Sequence, residues 1–342
     1  MGLLRILLAL AVIGDHARPP FDWLHFTAGT IAVEMFFVVS GFYMQMVLSQ
    51  RYTSATAFYV SRAIRIYPTY WIIAGVTYFS FWPINGFRHI SNLGWQPATL
   101  VFASNLLIFF QDTLLFLGVD HERLFFTANF QSASNLPSSY LIVRPSWTLA
   151  LELYFYLFAP YLARVRNSFL ITLALTLTAG RLAAYHAGLD HDPWFYRFFP
   201  FELPLFLLGM LGYRLFDRNE HLHFLRSKVL ALSAIVAMIV LGRYFTLSVP
   251  AQYSFIAAAT SVLVVPMAFA AFKDVSIDRF VGDLSYPIYL IHFPIIQFVS
   301  STYANVVGLS FALSCLIVIC LDRPLDRIRH RLTTVFHKSE YR

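Results

Sequence analysis

Residues 3–17 read LLRILLALAVIGDHA, an apolar run with one arginine near its start and one histidine near its end. On an α-helix the path from Arg5 to His16 rises roughly 16 Å, about half of a ~30 Å hydrocarbon core. With Arg5 at one interface, His16 falls near mid-membrane. An ionisable side chain at that depth is costly, so it normally faces a bundle interior or a watery cavity and marks a functional pathway. The run therefore predicts a membrane helix and a reaction centre at His16.

The rest of the chain agrees with a membrane setting. Its 342 residues are 58% hydrophobic, 18% aromatic and only 13% charged, with a mean hydropathy of +0.63. That composition excludes an ordinary soluble domain. Apolar runs near 1–17, 28–48, 66–83, 98–117, 146–163, 168–186, 199–216, 228–246, 252–272, 282–301 and 303–321 leave no room for a separate soluble unit. We expect one membrane domain over 1–330 and a basic cytoplasmic tail over 331–342. The net charge of +7 is scattered between the runs rather than gathered into a stripe, so no nucleic acid partner is expected. Cys315 and Cys320 both lie in the last run and imply no disulfide framework. The first residues superficially resemble a secretory signal, but cleavage would discard His16.

Charge sets the orientation. If all eleven runs crossed with Arg51, Arg62 and Arg65 on the cytoplasmic side, the basic tail would fall outside, against the positive-inside rule. A non-spanning or re-entrant 98–117 run restores the sorting. The expected fold is an all-α polytopic membrane bundle of about ten transmembrane helices, both termini cytoplasmic, with 84–145 as a long outer connection. Connections that long are usually functional or disordered.

Four further stretches carry ionisable or hydroxyl groups inside or beside apolar runs. TAGTIAVEMFFVVSGFYM (27–44) holds Glu34 and, six residues on, Ser40-Gly41; this reads as an acceptor-side group or as a packing carboxylate beside a small-residue helix contact. FYVSRAIRIYPTYW (58–71) puts Arg62 and Arg65 on one helix face at the cytoplasmic mouth, where two guanidinium forks suit phosphates or serve as plain positive-inside anchors. PSWTLALELYFYLFAP (145–160) begins with Trp147 at the outer interface and carries Glu152 at a depth expected to approach His16 and orient its imidazole. VGDLSYPIYLIHFP (281–294) places Ser285 and Tyr286 about 10 Å from His292 along one helix. His292 reads equally as a site or as a packed polar residue.

These residues resemble the acyltransferase-3 family of integral-membrane O-acyltransferases. The first-span arginine-to-histidine motif matches Arg5 and His16. The second-span pattern matches Glu34, Phe36, Phe37, Ser40 and Gly41, with Glu34 in place of a commoner Asp. The Arg-x-x-Arg-Ile-x-Pro-x-Tyr-Trp pattern matches Arg62, Arg65, Ile66, Pro68, Tyr70 and Trp71. A further pattern matches Trp147, Thr148, Leu149, Glu152, Phe155 and Tyr156. The late pattern matches Gly282, Ser285, Tyr286, Tyr289, Leu290, His292 and Pro294, and Arg323-Pro324 closes the set, with Asp322 where a Glu is common. Five patterns in order across residues 5 to 324 make the resemblance specific.

The resemblance implies an O-acetyltransferase with no bound cofactor and acyl-CoA, by default acetyl-CoA, as co-substrate in the cytoplasm. Its implied acceptor is a carbohydrate hydroxyl of a surface polysaccharide, exopolysaccharide, O-antigen or lipid-linked glycan, and the implied setting is a bacterial inner membrane. His16 and Glu152 are then catalytic and Arg5, Arg62 and Arg65 bind the donor. Glu34, Ser40, Trp147, Ser285, Tyr286 and His292 support the acceptor side. His16 would deprotonate the acceptor or carry the acyl group as an acyl-imidazole. The rival reading is a proton-coupled membrane transporter, since intramembrane His and Glu serve that role too. His221, His223 and the triplet Asp190-His191-Asp192 lie in short loops, and no metal site is expected.

Overall fold

The computed structural model describes residues 1–329 except 53, 82–89, 131–132, 134, 220 and 222. The expected tail, 331–342, lies outside the described residues. Twelve α-helices are present among those described: α1 (Gly2–His16), α2 (Gly29–Gln50), α3 (Ala55–Phe81), α4 (Trp95–Leu107), α5 (Trp147–Leu162), α6 (Asn167–His186), α7 (Phe199–Arg218), α8 (Lys228–Ser248), α9 (Ser254–Ala259), α10 (Ser261–Phe272), α11 (Ser276–Phe298) and α12 (Tyr303–Ile317).

Helices α2, α6, α7, α8 and α12, with their extensions, are long and apolar enough to cross a membrane; α9 and α10 together form a sixth candidate, bent by 42°. The chain is thus a polytopic helical bundle. Helices α1 and α5 have only 15 and 16 residues, so they fall short of the length a lone apolar span needs.

Burial separates the centre from the periphery. The apolar window of α2 is 72% buried, whereas those of α6, α8 and α12 are 22% buried. Phe169 and Leu175 on α6, Val236 and Val240 on α8, and Phe311 and Leu316 on α12 point outward. An apolar surface of that kind suits lipid rather than water. Helix α2 is the axis, and its nearest partner is α7. A Cβ added at Gly41 would fall 2.0 Å from the Phe206 carbonyl oxygen, and one at Gly209 would fall 2.1 Å from that of Val38. Each helix therefore contributes the glycine that lets the other's backbone approach, the small-residue packing that drives helix association in lipid. Gly41 of the Ser-Gly pair does this work.

Helices α1 and α11 close on each other in the same way: a Cβ at Gly2 would overlap the Asp278 carbonyl, and Gly282 faces Gly2. The Asp278 carboxylate accepts from the Gly2 and Leu3 amides at 2.7 and 2.8 Å, satisfying donors at the start of α1. At the far end of α5, Arg214 of α7 donates to the Leu162, Ala163 and Val165 carbonyls and to Asn167 Oδ1, filling acceptors that a helix C-terminus leaves open.

The expected 98–117 run is not one element. It takes in most of α4, whose 13 residues reach only about 20 Å, and a tight turn through Phe110, and it ends where a hairpin of β1 (Leu117–Asp120) with β2 (Arg123–Phe126) begins. The hairpin is a small addition to a bundle that is otherwise helical, as expected. His121 and Glu122 both adopt positive φ, the geometry of the turn that matches the twist of paired strands. Leu93, Val101, Leu114, Val119, Tyr140 and Leu141 give this connection a small core of its own.

Candidate functional site

Two cavities lie along the bundle, one toward the hairpin end (outer) and one toward the start of α1 (inner). The same four helices wall both. Helix α1 contributes Gly2 and Arg5 to the inner cavity and Val12, Asp15 and His16 to the outer one; α2 contributes Gly29 and Thr30 to the outer and Ser40 to the inner. Helix α5 runs from Trp147 in the outer cavity to Glu152 in the inner, and α11 from Gly282, Ser285 and Tyr286 to Phe293.

The outer cavity holds about 370 Å³. His16 is the last residue of α1, because the following Arg18-Pro19-Pro20 does not continue a helix. The side chain is open to a chamber roofed by Leu136, Ser138 and Ser139. Behind it, His292 is fully buried, with Nε2 3.2 Å from His16 Nδ1 and ring centroids 5.2 Å apart. Pro287 and Pro294 bracket this part of α11 and remove two helix amide donors.

That contact constrains the chemistry. One nitrogen of the pair donates and the other accepts, and which is which follows from tautomers. If His16 Nδ1 carries the proton and donates to His292, then His16 Nε2 presents a lone pair to the chamber. In that state His292 orients a base rather than acting as one.

Trp147 forms one wall of the same chamber. The Arg197 guanidinium lies 4.4 Å from both the Trp147 and Tyr196 ring centroids, and Asp192 holds it at 2.7 Å. His191 contacts the Ala128 carbonyl at 3.1 Å. Asp192 and His191 therefore face different partners.

The inner cavity is larger, about 530 Å³. Its lining includes Arg5, Arg51, Arg62, Arg65, Lys273, Arg279 and Arg329 against Glu152, Asp278, Asp283 and Asp326, a cationic excess suited to a polyanion. The two arginines of α3 differ. Arg65 sits 3.5, 4.0 and 3.9 Å from Asp283, Asp322 and Asp326, and Asp322 also accepts from Thr69 at 2.6 Å. Arg62 contacts Ser61 Oγ at 3.3 Å and lies over the Phe58 ring, with no ion pair among the described residues. The sequence favours Arg65 over Arg62 as the donor anchor, whereas the structure commits Arg65 to three carboxylates and leaves Arg62 without one among the described residues.

Two other expectations are corrected. Glu152 does not reach His16; it lies in the inner cavity, where Ser40 and Tyr156 donate to its Oε1 at 2.7 and 2.5 Å. The helical rise from Trp147 carries it past the chamber. Glu34 lines neither cavity. It is fully buried, 3.0 Å from Arg181, which also meets Glu202 at 3.3 Å and donates to the Phe195 and Phe201 carbonyls and Tyr185 Oη. Of the remaining candidates, Ser285 donates to the Gly282 carbonyl and Tyr286 to the Ile66 carbonyl, so both hold the inner cavity's wall.

Sequence reasoning passed over Arg181, Glu202, Arg197 and Tyr196. A signal existed for the first: a lone arginine inside the apolar run 168–186 needs an acid inside another run, and Glu34 and Glu202 were available.

Comparison with known proteins adds to this geometry. A family model described as an acyltransferase domain matches residues 1–321. The exopolysaccharide production protein ExoZ of Rhizobium meliloti (strain 1021) is 44% identical over 52 residues, 15% of this chain and 16% of that protein's own length. ORF330 of Acidianus two-tailed virus, named as an acetyltransferase, is 25% identical over 281 residues, 78% of this chain and 73% of that protein. No solved structure matches.

Proposed function

The chain belongs to the acyltransferase-3 family and is a membrane O-acyltransferase, and from that premise we propose that it moves an acetyl group from cytoplasmic acyl-CoA to a carbohydrate hydroxyl across the bilayer. The observation that carries this is the end-to-end pair of cavities, cationic at the inner end and aromatic at the outer, with His16 at the outer chamber's edge. Ten crossings with both termini cytoplasmic give the orientation: α4 and the hairpin stay outside, and the inner cavity opens to acyl-CoA in a bacterial inner membrane. The name of the Rhizobium relative supports a glycan acceptor, and that of the viral relative supports acetyl.

In the proposed step His292 holds His16 in the tautomer with Nε2 free. The acceptor oxygen attacks the thioester carbonyl while Nε2 takes its proton; the C–S bond breaks, and the proton leaves with the CoA sulfur. Trp147 and Tyr196 offer flat faces for a sugar, with Arg197 stacked against them.

Arg62 anchors the CoA phosphates. Arg62→Ala is expected to weaken acyl-CoA binding more than Arg65→Ala, because three carboxylates already engage Arg65, whereas Arg62 makes only weak neutral contacts that a phosphate can replace. Arg62→Lys should restore only part of the affinity. Donor binding to the three variants in membranes checks this, and equal affinity in Arg62→Ala and the parent would return Arg62 to a topological anchor. The reaction itself is tested by supplying acetyl-CoA and exopolysaccharide oligosaccharides to reconstituted protein. Free CoA released in step with ester supports transfer; acetyl groups crossing the bilayer on intact thioester would support a carrier instead.

A further inference from the structure

The inner and outer cavities meet at two side chains, Val33 and Tyr289, each of which lines both. Tyr289 is only 9% exposed, and its hydroxyl is engaged twice: it donates to the Pro145 carbonyl at 3.1 Å and accepts from Thr148 Oγ1 at 2.9 Å. Thr148 lies in the first turn of α5 and Pro145 in the turn just before it, so the tip of a side chain from α11 is latched to the entrance of the neighbouring helix. Two ordinary hydrogen bonds hold the ring without locking it. His292 follows three residues later on the same helical face, so the turn that seats the imidazole pair also seats the ring between the cavities.

We propose that Tyr289 gates the reaction. Latched on Thr148 and Pro145, it separates the chamber of His16 from the inner cavity, and it swings aside only when the thioester end of the donor reaches it. The partition keeps water in the outer chamber away from the inner one between turnovers. This proposal rests on reading the two cavities as acceptor and donor chambers, and its test is independent of transfer.

With Cys315 and Cys320 replaced by Ser, a His16→Cys chain is placed in sealed vesicles of either orientation and treated with a maleimide too polar to cross the bilayer. Labelling is expected from the outer face alone. Adding Tyr289→Ala is expected to abolish that one-sidedness, so that label arrives from both faces. Tyr289→Phe, which keeps the ring but loses the donated bond, should fall between. If Tyr289→Ala does not accumulate in the membrane, Tyr289→Phe and Val33→Ala carry the same comparison. Labelling from one face in every opened variant, from both faces with Tyr289 in place, or from neither face would overturn the proposal. Acetyl transfer by the native chain is measured separately, so failure of the gate and failure of the acyltransferase reading are distinguishable.

Discussion

His16→Gln is expected to lower acceptor acylation by about 10²–10⁴-fold, the contribution of a positioned general base. His16 borders the outer chamber, and its Nδ1 is taken up by His292, so Nε2 is the atom left for the acceptor. Glutamine keeps a hydrogen bond toward His292 but has no basic lone pair, so it should be nearly as inactive as His16→Ala while retaining fold and donor binding. In the parent, activity should fall as pH drops through the imidazole's titration, because the protonated ring accepts nothing. His292→Leu removes the partner that sets the tautomer, and it should lower kcat, by less than His16→Gln does, with little change in the donor KM. Ester formation in membranes carrying equal amounts of each variant reads all of this.

Arg181→Met is expected to cost about 3–5 kcal/mol of stability, the usual penalty for removing one partner from a buried ion cluster. Arg181 is 1% exposed, and Glu34 and Glu202 are both fully buried against it. Without the guanidinium, two carboxyl groups on α2 and α7 face each other in a sealed interior, and the Phe195 and Phe201 carbonyls lose their donor. Glu202→Gln should be much milder, since it leaves the 3.0 Å Glu34–Arg181 pair intact. Thermal unfolding in detergent orders the three proteins. An Arg181→Met chain as stable as the parent would mean that the cluster does not tie α2, α6 and α7 together.

The comparison of these two centres shows what a sequence makes legible. Arg5 and His16 stand out because they are ionisable groups set a helix-scale distance apart in an apolar run, and the path of α1 from the inner to the outer cavity follows from that spacing. The helical class is equally legible, since hydropathy alone marks the runs. What one dimension hides is partnership. Glu34 reads as a site residue until Arg181, 147 positions away, is seen to neutralise it. Arg65 reads as the stronger donor anchor until Asp283, Asp322 and Asp326 converge on it from α11 and the segment after α12. Glu152 has the composition of a catalytic acid, yet the helical rise from Trp147 delivers it to the other cavity. The hairpin at 117–126 is missed because its few apolar residues pack on a small separate core rather than on the bundle.

The most direct measurement uses sealed vesicles with the inner end outward, acetyl-CoA labelled in its acetyl group supplied only outside, and a glycan acceptor trapped inside. Labelled ester inside, with free CoA released outside and no ester from His16→Gln, is the expected result. Intact acetyl-CoA inside, or ester formed by His16→Gln at a rate near the parent's, would contradict transfer at His16 between the two chambers.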